Sequence, residues 1–267
     1  MRQDIVEHIY YSNSIEDIKV HSHNCCQIVF LKKGKINLTV GTKVYAANAP
    51  CIFFVSNLEN HAVYVESHEY ERYCAYINHQ AGLSAVDQPL FAILENRPEG
   101  FEHVLDVSPI KDDVQWIFEK LLAEKQKGLP LSQRAGNMLI MYLLITIYRY
   151  SPKMFQNPTH TVSVVSEIQR YIGKNYMKDI SLDLLAKKYH LSRYYLSHLF
   201  KKTTGYAPIE YLNMYRLALA RNLLIESELT VSEICGKTGF SDLSNFSRSF
   251  KNRFGSSPTA YRKKFKL

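Results

Sequence analysis

From Ile180 to the C-terminus the chain writes one pattern twice, with the second copy fifty residues downstream of the first. Phe200, Lys201, Gly205, Pro208 and Tyr211 recur as Phe250, Lys251, Gly255, Pro258 and Tyr261, and Ser197 recurs as Ser247. A spaced pattern that repeats this way must fold twice into the same small unit. Each copy reads as a short helix, a tight turn and a second helix, the layout that sets one helix into a DNA major groove.

Charge follows the repeat. The chain carries a formal net charge of +8, but residues 163–267 hold 18 Lys and Arg against 8 Asp and Glu, a net of +10, while residues 1–162 hold 15 against 17, a net of −2. The excess positive charge thus lies in the segment that would meet a polyanion. A merely soluble basic surface is the alternative reading.

In the first copy Ser181 caps a short amphipathic helix through Leu182, Leu184, Leu185 and Ala186, and Ser192 caps the next. With Leu196, Leu199 and Phe200 inward, Arg193, Tyr194, Ser197, His198 and Lys201 share the outward face, and Gly205 ends the helix. In the second copy Val231 and Ile234 belong to the first helix, Gly239 makes the turn and Asp242 caps the second helix. Phe246, Phe250 and Phe254 point inward there, leaving Leu243, Ser244, Ser247, Arg248 and Lys251 outward. The Arg248 guanidinium can grip guanine O6 and N7 with two bonds, with an ordinary surface arginine as the alternative. Lys201, Lys202, Lys251 and Arg253 lie nearer the helix ends and suit phosphate contact. Pro208 to Leu224 reads as one connecting rod of roughly 26 Å, long enough to hold two reading helices about one DNA turn apart. Because the two reading faces differ, the half-site they read is expected to be non-palindromic.

The first part of the chain is patterned differently. Short β-rich runs at Gln27 to Lys32, Lys35 to Val40, Cys51 to Ser56, Ala62 to Glu66 and Tyr70 to Ile77 alternate with turn residues, and Ile36, Leu38 and Val40 alternate with Lys35, Asn37 and Thr39 at period two. A loop with Pro89, Pro98, Gly100 and Pro109 follows. Val114, Ile117, Phe118, Leu121 and Leu122 then fall at helical spacing, with Asp112 and Asp113 at the start and Lys125 and Lys127 at the end, as the helix dipole favours. Gly128 and Pro130 break that helix, and a second, nearly apolar all round, runs from about Ser132 to Tyr150. The two are expected to pack on the β unit with one face left for a second subunit; wholly intramolecular packing is the alternative. Ser151 to Thr161 reads as a linker.

Five cysteines without a C-x-x-C pair write neither a disulfide framework nor a zinc knuckle, so a reducing, cytoplasmic home is expected. The polar start does not look like a signal peptide, and Met138 to Tyr148 is far short of the roughly 20 apolar residues of a membrane span. No nucleophile, base and orienting group form a set and no phosphate-cradling glycine loop appears, so no catalytic residues are expected.

Residues 163–267 resemble the DNA-binding domain of the AraC/XylS family of bacterial transcription regulators. The resemblance rests on Ile180-Ser-Leu-Asp-Leu-Leu-Ala186, Leu196-Ser197 with Phe200-Lys201, Gly205, Tyr211-Leu212 and Arg216-Leu217 with Ala220. It continues through Gly239-Phe240-Ser241-Asp242, Phe246-Ser247-Arg248, Gly255, Pro258 and Tyr261-Arg262, with Cys235 where the family usually has alanine. It implies double-stranded promoter DNA as a partner and activation through RNA polymerase. His21-Ser-His23-Asn-Cys-Cys-Gln27 resembles the first motif of cupin barrels, with glutamine in place of the usual glutamate and His61 standing for the distant third histidine. Ala49-Pro50 replaces the usual Pro-Gly element of the second motif.

Together these imply an α+β chain. Residues 1–150 form a cupin-like β-barrel with two dimerisation helices, residues 151–162 a linker, and residues 163–267 an all-α double helix-turn-helix domain. The expected protein is a homodimeric regulator without metal or cofactor and with no membrane association. Its small-molecule effector, a sugar or other polar metabolite, is lined by His21, His23, Gln27 and His61. A cupin metalloenzyme fused to a DNA-binding module is the alternative, since three histidines with a fourth ligand suit a transition metal.

Overall fold

The structure, a computed structural model, describes residues 4–41, 43–95, 103–155 and 160–265. The expected loop positions Pro98 and Gly100 and the linker positions Asn157 and Pro158 lie outside the described residues. The chain divides into two compact units, Met1–Ser163 and Val164–Leu267.

The first unit is built on two antiparallel sheets. Its strands are β1 (Val6–Ser12), β2 (Ile18–His21), β3 (Cys26–Lys33), β4 (Lys35–Val40), β5 (Lys43–Asn48), β6 (Cys51–Val55), β7 (His61–Val65), β8 (Glu71–Ile77) and β9 (Val104–Asp106). They pair in the orders β1-β8-β3-β6-β9 and β2-β7-β4-β5. Four helices accompany them: α1 (His79–Ala85), α2 (Gln88–Glu95), α3 (Lys111–Lys127) and α4 (Ser132–Tyr150).

Side-chain alternation explains why the two sheets look so different in sequence. In the five-stranded sheet Ile28, Phe30, Ile52, Phe54, Tyr73 and Ala75 face a core shared with α2, α3 and α4. Their neighbours Val29, Leu31, Phe53, Val55 and Cys74 face a second core with Ile36, Leu38, Val40 and Val63 of the other sheet. Both faces are therefore buried and its strands read as continuous apolar runs. β4, solvated on one face, keeps a clean period of two.

The expected loop is corrected at two positions. Pro89 does not sit in a loop; it occupies the second position of α2, where a missing N–H costs no helical hydrogen bond. Pro109 lies in a 3-10 turn, Ser108–Ile110, directly ahead of α3. Helix α4, though nearly apolar all round in sequence, packs by one face and leaves another outward, as expected: Ile140, Leu143, Leu144 and Ile147 enter the core, while Met138 is 72% exposed and Tyr142 lies outward beside it. Strands β1, β2, β5 and β9 go beyond the runs read from sequence: β2 and β9 are short, β5 is exposed along most of its length, and β1 lies ahead of the first run read.

The second unit is helical: α5 (His160–Asn175), α6 (Leu182–Lys188), α7 (Arg193–Thr204), α8 (Pro208–Glu226), α9 (Val231–Lys237), α10 (Leu243–Phe254) and α11 (Pro258–Phe265). Ser181, Ser192, Thr230 and Asp242 each accept a hydrogen bond from a backbone N–H in the first turn they cap. Gly205 and Gly255 close α7 and α10 in the left-handed conformation, at φ 82° and 75°. The 19 residues of α8 give a rod of about 28 Å. Its Leu217, Ala220 and Leu224 pack with Ile234, Phe240, Phe246 and Phe250 of the second copy.

Two arginines tie this rod to the loops around it. Arg216 donates from Nε to the Tyr176 carbonyl at 2.7 Å and from Nη2 to the Lys178 carbonyl at 2.9 Å. Arg262 does the same for the Leu224 and Leu229 carbonyls. Bonds from a charged donor to these carbonyls hold each turn firmly.

Candidate functional site

The β unit encloses a cavity of about 280 Å³ between its two sheets. One wall is Tyr10 of β1, Gln27 and Val29 of β3, Phe53 of β6 and Arg72, Cys74 and Tyr76 of β8; the other is Ile18, His21, His61 and Val63. Register puts the first set on one face, since Gln27 pairs with Tyr76, Val29 with Cys74 and Tyr10 with Cys74. Three of the residues singled out in the sequence, His21, Gln27 and His61, are brought together here. His23 is not among the lining residues and lies beside them, its ring 4.9 Å from His61 and 5.6 Å from His21.

The three imidazoles share one tautomer. Nδ1 of His21 bonds the Lys19 carbonyl at 2.9 Å, Nδ1 of His23 the Cys25 carbonyl at 3.0 Å, and Nδ1 of His61 the Glu59 carbonyl at 2.9 Å. A carbonyl only accepts, so each Nδ1 carries the proton and each Nε2 keeps its lone pair. Ligand atoms of the three rings lie within 4.8 Å of one another. Burial, reinforced by His21, pulls the His61 pKa down to about 4, against the pull of the Glu59 carbonyl, and holds that ring neutral at pH 7. Rings oriented in this way by backbone carbonyls can hold a transition metal or accept hydrogen bonds from a ligand. Gln27 offers an amide where a metal site of this kind has a carboxylate.

Four ionisable lining residues escaped the sequence reading: Tyr10, Arg72, Cys74 and Tyr76. Their signal was present in the run from Tyr70 to Ile77, where Arg72, Cys74 and Tyr76 alternate with the core residues Tyr73, Ala75 and Ile77. Desolvation raises the Tyr10 phenol to about 12 and the Cys74 thiol to about 11, and raises the Tyr76 phenol as well, so all three stay neutral. Arg72 is the one permanently charged group among the lining residues.

The helical unit presents the other candidate surface. On α7, Arg193, Tyr194, His198, Lys201 and Lys202 are exposed and Ser197 is half-buried. Tyr194, 81% exposed, stacks on His198 with ring centroids 6.1 Å apart, and Arg193 pairs with Asp183 of α6 at 3.1 Å. On α10, Leu243, Ser244, Arg248 and Lys251 are exposed and Ser247 is half-buried, while Phe246 and Phe250 anchor the opposite face. Arg253 is half-buried near the end of that helix. Among the described residues no helix is long and apolar enough to cross a membrane.

Comparison with known proteins matches both units. Residues 6–143 match the AraC-like ligand binding domain and residues 185–264 a helix-turn-helix domain. The Msm operon regulatory protein of Streptococcus mutans is 35% identical over 108 residues, 40% of this chain and 39% of that protein, so the match spans about two-fifths of that relative's length. The HTH-type transcriptional regulator YdiP of Escherichia coli is 23% identical over 92% of this chain and 81% of its own. The structure of ToxT from Vibrio cholerae with a bound unsaturated fatty acid superposes with a TM-score of 0.60 at 12% identity, covering 98% of this chain and 97% of that one, which places the two in one fold. The α+β architecture of paired antiparallel sheets and a helical helix-turn-helix domain is thus the one expected from sequence. The chain belongs to the AraC family of transcriptional regulators.

Proposed function

We propose that the chain reads promoter DNA with α7 and α10 and that a small molecule held in the β-unit cavity controls this reading. The observation that carries the proposal is the pair of equivalent helices, each capped, each anchored by a buried Phe pair or Leu and Phe, and each turning a different polar and basic edge to solvent. Such edges enter successive major grooves, with Arg248 positioned for base reading and Lys201, Lys202 and Lys251 for phosphates. The effector acts by binding one arrangement of the regulator more tightly than another, since equal affinity for both shifts nothing. A homodimer, joined through the outward face of α4 around Met138 and Tyr142, and contact with RNA polymerase in the cytoplasm complete the reading. DNase footprinting on promoters recovered by genomic binding-site mapping tests it: protection of two successive major grooves per protomer is expected, and protection of one or none overturns it.

A transition metal at His21, His23 and His61 is a second reading, favoured by the common tautomer that points three lone pairs at one another. Elemental analysis of protein purified without added metal separates the two. Stoichiometric zinc, iron or manganese supports the metal, and a substoichiometric content leaves the cavity to an organic effector.

A further inference from the structure

We infer that the effector is a small hydroxylated organic anion whose carboxylate or phosphate group sits against Arg72. The inference rests on the cavity being the effector site and adds the chemistry of what it takes.

Arg72 is 9% exposed, lines the cavity, and its Nε has no hydrogen-bond partner among the described residues. A guanidinium cannot shed its proton, so burial leaves a full positive charge in a poorly solvated wall, at a penalty that an anion would relieve. The adjacent carboxylate does not supply it: Glu71 alternates to the other side of β8 and is held by Lys33 at 2.8 Å and Lys32 at 3.2 Å. The cavity does not supply it either, because burial keeps the Tyr10 and Tyr76 phenols and the Cys74 thiol protonated. The Tyr10 and Tyr70 rings lie 5.7 and 5.6 Å from the guanidinium carbon. Their faces attract the cation, and the Tyr70 phenol lies close enough to interact with it, but Nε is left for an oxyanion.

The far end of the cavity dictates the rest of the molecule. Arg72 stands opposite Leu31 and Tyr76 opposite Gln27, four residues along the same pair of strands, about 13 Å at the backbone. At the Gln27 end His21 and His61 present Nε2 lone pairs, their Nδ1 protons being committed to the backbone. Those atoms accept only, so the ligand must donate, as a hydroxyl does. One end therefore calls for an oxyanion and the other for hydroxyl groups, the chemistry of a sugar acid or a sugar phosphate.

The test uses the full chain with gluconate, glucuronate, glucose 6-phosphate and glucose as probes, read by calorimetry and thermal shift. At least one anion is expected to bind tenfold or more tightly than glucose, and the carboxylate and phosphate arms tell the two oxyanions apart. Arg72→Met is expected to abolish that preference while melting, without ligand, no lower than the parent, since it removes a buried charge that no carboxylate pairs among the described residues and keeps an apolar stem against the Tyr10 and Tyr70 rings. Glucose binding as well as its acids overturns the anion and leaves the effector cavity standing. An Arg72→Met variant that keeps the preference, or that melts several degrees lower without ligand, also overturns it, the latter because Arg72 is then a structural group. Silence from all the anionic probes overturns the assignment of this class, and silence from glucose as well counts against the effector reading itself.

Discussion

Arg72 and Arg248 are the same side chain in opposite surroundings, and so are His61 and His198. In the β unit the polar groups face inward, where His61 is 2% exposed and Arg72 9%. In the helical unit they face solvent, and the core beneath them is Leu196, Phe200, Phe246 and Phe250. Inside, a charge or a lone pair is costly until a ligand matches it, which makes the cavity selective. Outside, the same groups stay hydrated at little cost and gain by displacing the counterions of a polyanion. On the proposed function, the contrast separates a site for one small molecule from a surface for a long charged one.

The sharpest way to break the contrast is to remove one half of it. Gly239 sits at φ 84°, and a Cβ there would lie 2.6 Å from the Tyr176 carbonyl oxygen and 2.9 Å from the Met177 Cα. Both are backbone atoms, held by the Arg216 bonds, so they cannot yield cheaply. Gly239→Ala is expected to destabilise the helical unit by on the order of 3 kcal/mol or more, combining left-handed strain with a clash. Gly255 also has positive φ but nothing within 4 Å of its Cβ position, so Gly255→Ala should cost only about 1 kcal/mol. Denaturant melts of the two variants check the difference, and DNA binding should fail in the first while ligand-induced stabilisation of the β unit persists.

Acid should strike the other half. His61 in the unfolded chain takes a proton near pH 6.5, but in the folded chain only near 4. Between those values the unfolded state binds more protons, so stability falls as pH drops from about 6.5 to about 4 and this group takes nothing further below that. The loss is on the order of 3 kcal/mol. Melting followed against pH checks it: His61→Gln should flatten the slope in that window, whatever it does to stability at pH 7, and an unchanged slope assigns the effect elsewhere.

How legible each half was follows from the same contrast. The helical unit is specified locally: Ser181, Ser192 and Asp242 cap the residues that follow them, Gly205 and Gly255 end their helices, and the outward faces follow from the 3.6-residue period. All of this lies within a dozen residues of each feature. The cavity depends on pairings of distant strands. Tyr10 meets Cys74, and Gln27 meets Tyr76, only because β1 and β3 flank β8. The alternation of Arg72, Cys74 and Tyr76 with Tyr73, Ala75 and Ile77 sets Arg72 on one face of β8, but does not say whether that face meets a cavity or solvent. The histidines were found through the H-x-H resemblance, but their common tautomer rests on the carbonyls of Lys19, Cys25 and Glu59, which no side-chain pattern encodes. Pro89 misled for a simpler reason, since proline breaks helices everywhere except at their start.

On the outer surface the effects are smaller and separable by sequence dependence. Arg248→Ala should cost about 1 to 3 kcal/mol on the cognate promoter and relax specificity at one base, with little effect on random DNA. Lys251→Ala should weaken both alike and lower the slope of log affinity against log salt by about 1. Competition binding across a salt series checks both. Equal loss on random DNA for Arg248→Ala would make it a phosphate contact and leave α10 without its principal reader.

The smallest effect concerns Asp183, the one acid among the described residues in a salt bridge with a residue proposed to meet DNA. Its carboxylate holds Arg193 at 3.1 Å, but the two side chains are 71% and 66% exposed, so the bond is worth about 0 to 1 kcal/mol and screens with salt. Asp183→Asn should therefore leave the melting temperature within a degree or two of the parent. On DNA its consequence has the opposite sign to every other variant here, because it removes a negative charge from the face that approaches phosphates and frees Arg193 to turn toward them. Affinity at low salt should rise a few-fold and the gain should fade as salt is raised. A gain that persists in high salt would mean that Arg193 reads a base rather than a phosphate, and a loss of affinity would mean that the Asp183 pair holds Arg193 in the pose that binds.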